Sequence, residues 1–223
     1  MEYLCNYLGD DLQNRCGICD IDKNSFLNIS DKDAFKNKLL EFRETYFPLL
    51  EVESPKSKII NGVAASYYGV TNVGAALRHS KYEGGGDFPD WLLKLTLKAF
   101  RKRFGNTKFD LILFVPPTES GKLVENFAIK ISSVLKIPIS HKLIKNSATS
   151  PQKTFHSGIS KKDNVKDKFI FENPVEIEGK NILLIDDIFD SGYTIKEIGH
   201  YLTTIGSSTI APLVIARTVG GDI

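Results

Sequence analysis

Apolar positions along this chain follow two periods, and the change between them divides it. Ser30 stands as a helix cap with Asp33 at the reciprocal position, and Phe35, Leu39, Phe42 and Tyr46 then recur at spacings of four, three and four until Pro48. That is the stripe of an amphipathic helix, which must pack on the main domain or on a partner. From Ile59 onward, short continuous apolar runs alternate with helical ones. Val73 to Tyr82 reads as a short helix, Glu83-Gly84-Gly85-Gly86 as a turn, and Asp87 as the cap of a helix with Leu93, Leu97, Phe100 and Phe104 on one face and Trp91 partly in the core. Phe109 to Val115 predicts a buried strand, the residues through Leu135 an amphipathic helix, and Ile137 to Ile144 another strand. Ile182-Leu183-Leu184-Ile185 is too short for a helix and predicts a fully buried parallel strand that delivers Asp186 and Asp187 to its carboxyl edge. Ile195 to Leu202 is the helix that follows, and Ser208 to Thr218 is a strand that ends the sheet and leaves Arg217, Thr218 and Val219 at the same edge. Strands alternating with helices in this way predict an α/β chain with a parallel sheet.

Domain organisation follows from the same change of period: a cysteine-bearing segment over 1–24, a helix and linker over 25–58 with Glu51 to Lys58 as the linker, and the main domain over 59–223. At 223 residues there is room for one sizeable core and an appendage. A formal charge of +2 with 25% charged residues gives no bulk commitment to nucleic acid or to a membrane surface. No apolar run approaches a spanning length and no secretory signal is visible, so the expected compartment is the cytoplasm and no membrane partner is expected. Cys5, Cys16 and Cys19 are the 3 cysteines of the chain, and an odd, clustered set fits metal chemistry better than a disulfide framework. Cys16 and Cys19 form a CxxC half-site for zinc, to which Asp22, Asp20 or Cys5 could add ligands, although two reduced thiols explain the pair equally well.

The chemistry concentrates around the two carboxylates. Asp190, Ser191, Gly192, Tyr193 and Thr194 form a tight loop at a helix N-terminus, where free N–H groups and the positive end of the helix dipole suit a phosphate. A bare phosphate would be repelled by two acids at close range; a ribose phosphate would not, because its hydroxyls can donate to Asp186 and Asp187 directly or through a divalent metal. An ordinary strand, turn and helix also favours Asp, Ser and Gly at that turn. The strand from Phe109 repeats the arrangement, running into Pro116-Pro117-Thr118-Glu119-Ser120-Gly121-Lys122. There Thr118 and Ser120 hydroxyls, the Gly121 amide and the Lys122 ammonium could surround a second anion, with the two prolines fixing an unusual backbone, by a cis bond or otherwise. Alternatively the stretch is simply a good helix start. Between Lys145 and Phe171 lies a lysine-rich polar stretch with Gln152, Lys153, His156, Lys161, Lys162 and Asn164, read either as a lid over the anion sites or as a solvated surface.

The run ILLIDDIFDSGYT, Ile182 to Thr194, resembles the phosphoribosyl-diphosphate (PRPP) motif of type I phosphoribosyltransferases. Lys81-Tyr82 with its glycines, and the pattern from Thr149 to Phe169 that includes Gln152 and Asn164, resemble the ComF-like branch of that family, with lysine here at several positions where arginine is usual. The resemblance implies a type I phosphoribosyltransferase fold with a small helical, zinc-knuckle appendage. It implies a 5'-phosphate in Asp190 to Thr194, pyrophosphate against Pro117 to Lys122, catalysis by Asp186, Asp187 and Lys122 with magnesium on the two acids, and a lid of Lys145, Gln152, Lys153, Lys161 and Asn164. Separately, NYLGDDLQNRCGICDID resembles the zinc region of RecQ-type DNA helicases, with Asp22 in place of the last family cysteine. It implies a partial zinc site of Cys16, Cys19 and Asp22, and a phosphoribosyltransferase module at the end of a RecQ-like helicase or a descendant without the motor.

Three functions are consistent with these residues: magnesium-dependent transfer of a 5-phosphoribosyl group from PRPP to a nitrogen acceptor with release of pyrophosphate, a non-catalytic PRPP or nucleotide sensor, and a DNA-binding accessory in DNA processing, recombination or competence. The partners they imply are PRPP, a nucleobase or other acceptor, DNA through the helicase context, and a second copy of the chain. No base-reading segment is recognisable, so the acceptor stays open.

Overall fold

The computed structural model describes residue 17 and residues 32–69, 71–84, 86–117, 121–146 and 169–219. Two units divide the chain, Met1–Tyr46 and Phe47–Ile223. In the first, α1 (Lys32–Thr45) is the helix expected from the Phe35 to Tyr46 stripe, and the Phe42 and Tyr46 rings stack along it at 4.7 Å. Its expected cap Ser30, and Cys5, Cys16, Cys19, Asp20 and Asp22, lie outside the described residues.

The second unit is built on a five-stranded sheet in the order β1-β2-β7-β6-β3. Its strands are β1 (Leu49–Leu50), β2 (Gly62–Tyr67), β3 (Leu111–Phe114), β6 (Asn181–Phe189) and β7 (Thr209–Arg217), all parallel except β1. Beyond β3, Ile139 adds one parallel bridge to Ile112. The helices are α2 (Asn72–Tyr82), α3 (Asp90–Phe104), α4 (Leu123–Leu135) and α5 (Tyr193–Thr204). Alternation along β6 separates two cores: Leu183 and Ile185 pack with Leu77, Leu92, Phe100 and Phe127 of α2, α3 and α4. Ile182 and Leu184 pack with Ile195, Ile198 and Leu202 of α5. Both faces are covered, which is why β6 reads as an unbroken apolar run. This is the mixed α/β, mainly parallel architecture that the sequence predicts.

Several local expectations are corrected. The sheet unit starts at Phe47 rather than Ile59: Leu50 and Val52 are buried, and the Val52 and Glu53 N–H groups donate to Asn61 Oδ1, so the stretch expected to be a linker is fastened to the sheet. The strand Ser208 to Thr218 does not end the sheet; β7 lies between β2 and β6, because β2, unforeseen in the sequence, covers its far side. Ile137 to Ile144 is not one strand. After the single bridge at Ile139, β4 (Leu143–Lys145) turns away to pair antiparallel with β5 (Phe169–Phe171), burying Leu143, Phe169 and Phe171 on the α5 face. Asp87 does not cap α3, whose N-cap is Pro89 with φ near −58°. It accepts instead from Asn126 Nδ2 at 2.7 Å and pairs with Lys130 at 3.4 Å, and the Asn126 amide, with Lys130, holds its carboxyl below the usual range. Trp91 is exposed rather than part of the core.

Candidate functional site

From β3 the chain moves outward to the Ile139 bridge, whereas from β6 it moves the other way to β7. The crevice at the carboxyl ends of β3 and β6 is therefore the topological switch point of the sheet, where open α/β sheets bind ligands. The Val115 N–H donates to Ile185 O at 2.9 Å and ends the β3–β6 ladder; past Ile185, β7 is the neighbour of β6 that the ladder records. Asp186 and Asp187 stand at that point. They lie within β6, which continues to Phe189, rather than at its last residue.

After Phe189 the chain turns through Asp190 and Ser191, both exposed, to Gly192. Gly192 has φ 74° and a Cβ there would lie 2.6 Å from Phe189 Cζ, so only glycine closes this turn without strain. It is also the N-cap of α5 and makes no side-chain cap bond, leaving the N–H groups of Tyr193, Thr194 and Ile195 in the first turn, where the helix supplies no acceptor. Thr218, at the end of β7, donates through Oγ1 to Asp190 Oδ1 at 3.0 Å, and its N–H donates to Phe189 O at 2.8 Å; the turn is held from the neighbouring strand. Arg217, expected at the edge with Thr218 and Val219, donates instead to Leu49 O of β1.

The second loop is described at its ends. Pro116 is buried, Pro117 exposed, Gly121 has φ 57° and exposed Lys122 is the N-cap of α4. Every peptide bond among the described residues is trans, so no cis bond shapes the Pro116-Pro117 turn. Thr118, Glu119 and Ser120 lie outside the described residues, as do Gln152, Lys153, Lys161 and Asn164 of the expected lid. Lys145 closes β4.

Electrostatics distinguish the two acids. Burial, together with the Asp187 charge, pushes the Asp186 carboxyl up to about 8, against the pull of the Asp187 N–H, which donates to Asp186 Oδ1 at 2.8 Å, and of Lys81 and Lys145. Asp187 instead receives the Lys81 ammonium at 2.8 Å. Burial depresses the lysine, but attraction to Asp187 and the hydrogen bond to it outweigh that and leave Lys81 above its ordinary value. Lys81 was visible in the sequence only beside Tyr82 and the glycines; nothing there shows that α2 brings it to β6. Among the described residues no group of three or more His, Cys, Asp or Glu comes together. The donors fit magnesium only as that ion is usually bound, by one or two carboxylates with the remaining ligands from substrate oxygens and water.

Two acids near the carboxyl end of a strand at the switch point, followed by a glycine turn into a helix N-terminus, form a crevice of the kind at which open α/β sheets bind ligands. Residues 97–219 match the phosphoribosyl transferase domain, and the chain belongs to that family. The transcriptional regulator GfcR of Methanococcoides burtonii is 30% identical over 70 residues, which are 31% of this chain and 34% of the regulator. The chain thus spans about a third of the length of that curated relative. Among solved structures, the purine phosphoribosyltransferase of Pyrococcus horikoshii is 17% identical, with 61% of this chain and 81% of that one covered and a TM-score of 0.40. The glutamine PRPP amidotransferase of B. subtilis is 22% identical over 48% of this chain and 22% of that one, with a TM-score of 0.36.

Proposed function

We propose that this chain binds PRPP at the β3–β6 crevice and transfers its 5-phosphoribosyl group, with magnesium, to a nitrogen acceptor. The observation that carries this reading is the juxtaposition of the acid pair of β6 with the α5 N-terminus at the switch point. In it the N–H groups of Gly192 to Thr194 and the Ser191 hydroxyl hold the 5'-phosphate, and Asp186 and Asp187 accept from the ribose hydroxyls. Pro117 to Lys122 faces the pyrophosphate, and the Lys122 ammonium neutralises charge on it as it departs. The acceptor nitrogen forms its bond to the anomeric carbon as the bond to the pyrophosphate oxygen breaks, the electron pair leaves with pyrophosphate, and the acceptor loses a proton to water. Asp186 is the carboxylate left for magnesium, which would supply electrophilic charge to pyrophosphate oxygens. Calorimetry with Mg-PRPP, followed by an assay of pyrophosphate release over a panel of nucleobases and amines, tests it; release above the rate of PRPP decay in buffer is the expected result.

A second reading, a PRPP or nucleotide sensor without turnover, is favoured by the match to a transcriptional regulator and by lysine where the ComF-like branch carries arginine, since lysine cannot grip phosphate bidentately. Binding without pyrophosphate release against any acceptor would select it. The ComF-like affiliation and the RecQ-like helicase context, with DNA as a partner and zinc on Cys16, Cys19 and Asp22, are supported by the sequence strings alone. Elemental analysis checks the zinc, and well under one bound ion per chain is expected, because three ligands fall short of a tetrahedral set.

A further inference from the structure

Asp187 already carries a cation. Lys81 Nζ lies 2.8 Å from Asp187 Oδ2, and the two side chains are 14% and 9% exposed, so this is an enclosed pair rather than a screened surface contact. The lysine is delivered by a fixed element. The Thr71 hydroxyl caps α2 by accepting from the Gly74 N–H at 2.9 Å, Val73 and Leu77 are buried against the sheet, and Lys81 sits in the last turn. Alternation along β6, carried on from Leu183 and Ile185, turns Asp187 toward the face where α2 lies. A divalent ion on Asp187 would have to displace this ammonium or sit against it, and like charges at such distances repel strongly where water is excluded.

We propose that Lys81 is the resident cation of the acid pair: its ammonium neutralises Asp187 and fixes that carboxylate for a sugar hydroxyl, so this half of the site takes a ribose with no metal ion on Asp187. The inference rests on the ribose-phosphate reading of the site and assigns Lys81 a positioning role within it. An ammonium also has two further N–H donors, so one group can hold Asp187 and still donate to a hydroxyl oxygen of the sugar. Magnesium then enters on the other side, with Asp186 and the substrate's own oxygens.

The test pairs two titrations of the full chain: Mn²⁺ alone, followed by electron paramagnetic resonance, and ribose 5-phosphate in EDTA, followed by calorimetry. Wild type is expected to take up Mn²⁺ weakly and to bind ribose 5-phosphate without metal. Lys81→Met should gain about tenfold in Mn²⁺ affinity, through the carboxylate it frees, and lose about tenfold in metal-free ribose 5-phosphate affinity. Mn²⁺ should restore the latter. Lys81→Arg, which keeps a cation, should stay near wild type in Mn²⁺ uptake, and Lys81→Met combined with Asp187→Asn should lose the gain. Equal Mn²⁺ affinity in Lys81→Met and wild type overturns the proposal. So does tight stoichiometric Mn²⁺ uptake by wild type that Asp187→Asn abolishes, a measurement that does not depend on whether Lys81→Met folds. If wild type binds ribose 5-phosphate neither with metal nor without it, the reading of the site itself fails, and the role of Lys81 toward a sugar falls with it; binding with unchanged metal dependence in Lys81→Met overturns the role of Lys81 alone.

Discussion

Gly192 and Asp186 carry opposite kinds of constraint. At Gly192 the constraint is steric. Gly192→Ala puts a side chain at φ 74° and within 2.6 Å of the Phe189 ring, and should lower stability by about 1–2 kcal/mol in urea unfolding while weakening Mg-PRPP binding; unfolding at the wild-type midpoint would show that the turn relaxes freely. At Asp186 the constraint is electrostatic, because burial and the Asp187 charge raise the carboxyl from 3.8 to about 8. Below about pH 4 both folded and unfolded chains hold this proton. As pH climbs to 8 the unfolded chain has lost it and the folded one has not, so stability falls across that window and levels off above it. In EDTA, the wild-type urea midpoint should therefore drop between pH 5 and pH 8 more than that of Asp186→Asn; parallel profiles would remove Asp186 as the source. Sequence alone showed two adjacent acids. It could not show that Lys81 of α2 would pair with Asp187, because that pairing joins distant parts of the chain.

At the scale of elements, strands with bulky apolar runs were legible and those made of small residues were not. Ile182 to Ile185 and Leu111 to Phe114 declare themselves by continuous large side chains, whereas β2, Gly62–Tyr67, offers Gly, Val, Ala, Ala, Ser and Tyr and passes for a connection. Its composition answers to β7: a Cβ at Gly62 would lie 2.2 Å from Pro212 O and 2.5 Å from Pro212 Cγ. Two strands here approach so closely that only glycine fits opposite a proline. Gly62→Ala should accordingly cost about 1–3 kcal/mol in chemical denaturation by overpacking against backbone, and an unchanged midpoint would mean that β2 is free to shift. The same limit explains β4. Leu143 leaves the sheet for β5, and only tertiary burial beside Phe169 and Phe171 decides that. Thr118 to Ser120 and the expected lid, by contrast, were read from motif alone, and their contribution to the site is carried by the sequence.

For the whole molecule, the switch point gathers what the chain keeps far apart: α2 supplies Lys81, β4 supplies Lys145, β6 the acid pair, α5 its N-terminus and β7 Thr218. No helix among the described residues is long and apolar enough to cross a membrane. The proposed ligand, PRPP, would engage several of these elements at once and so hold the folded state together. The direct measurement is thermal and urea unfolding with and without Mg-PRPP, on wild type and on Asp187→Asn. At about a hundredfold excess over its dissociation constant, Mg-PRPP should stabilise wild type by about 2.7 kcal/mol, with a smaller effect on the variant. Unfolding of wild type that is unchanged by Mg-PRPP up to millimolar concentration would contradict the assignment of this crevice to a ribose phosphate.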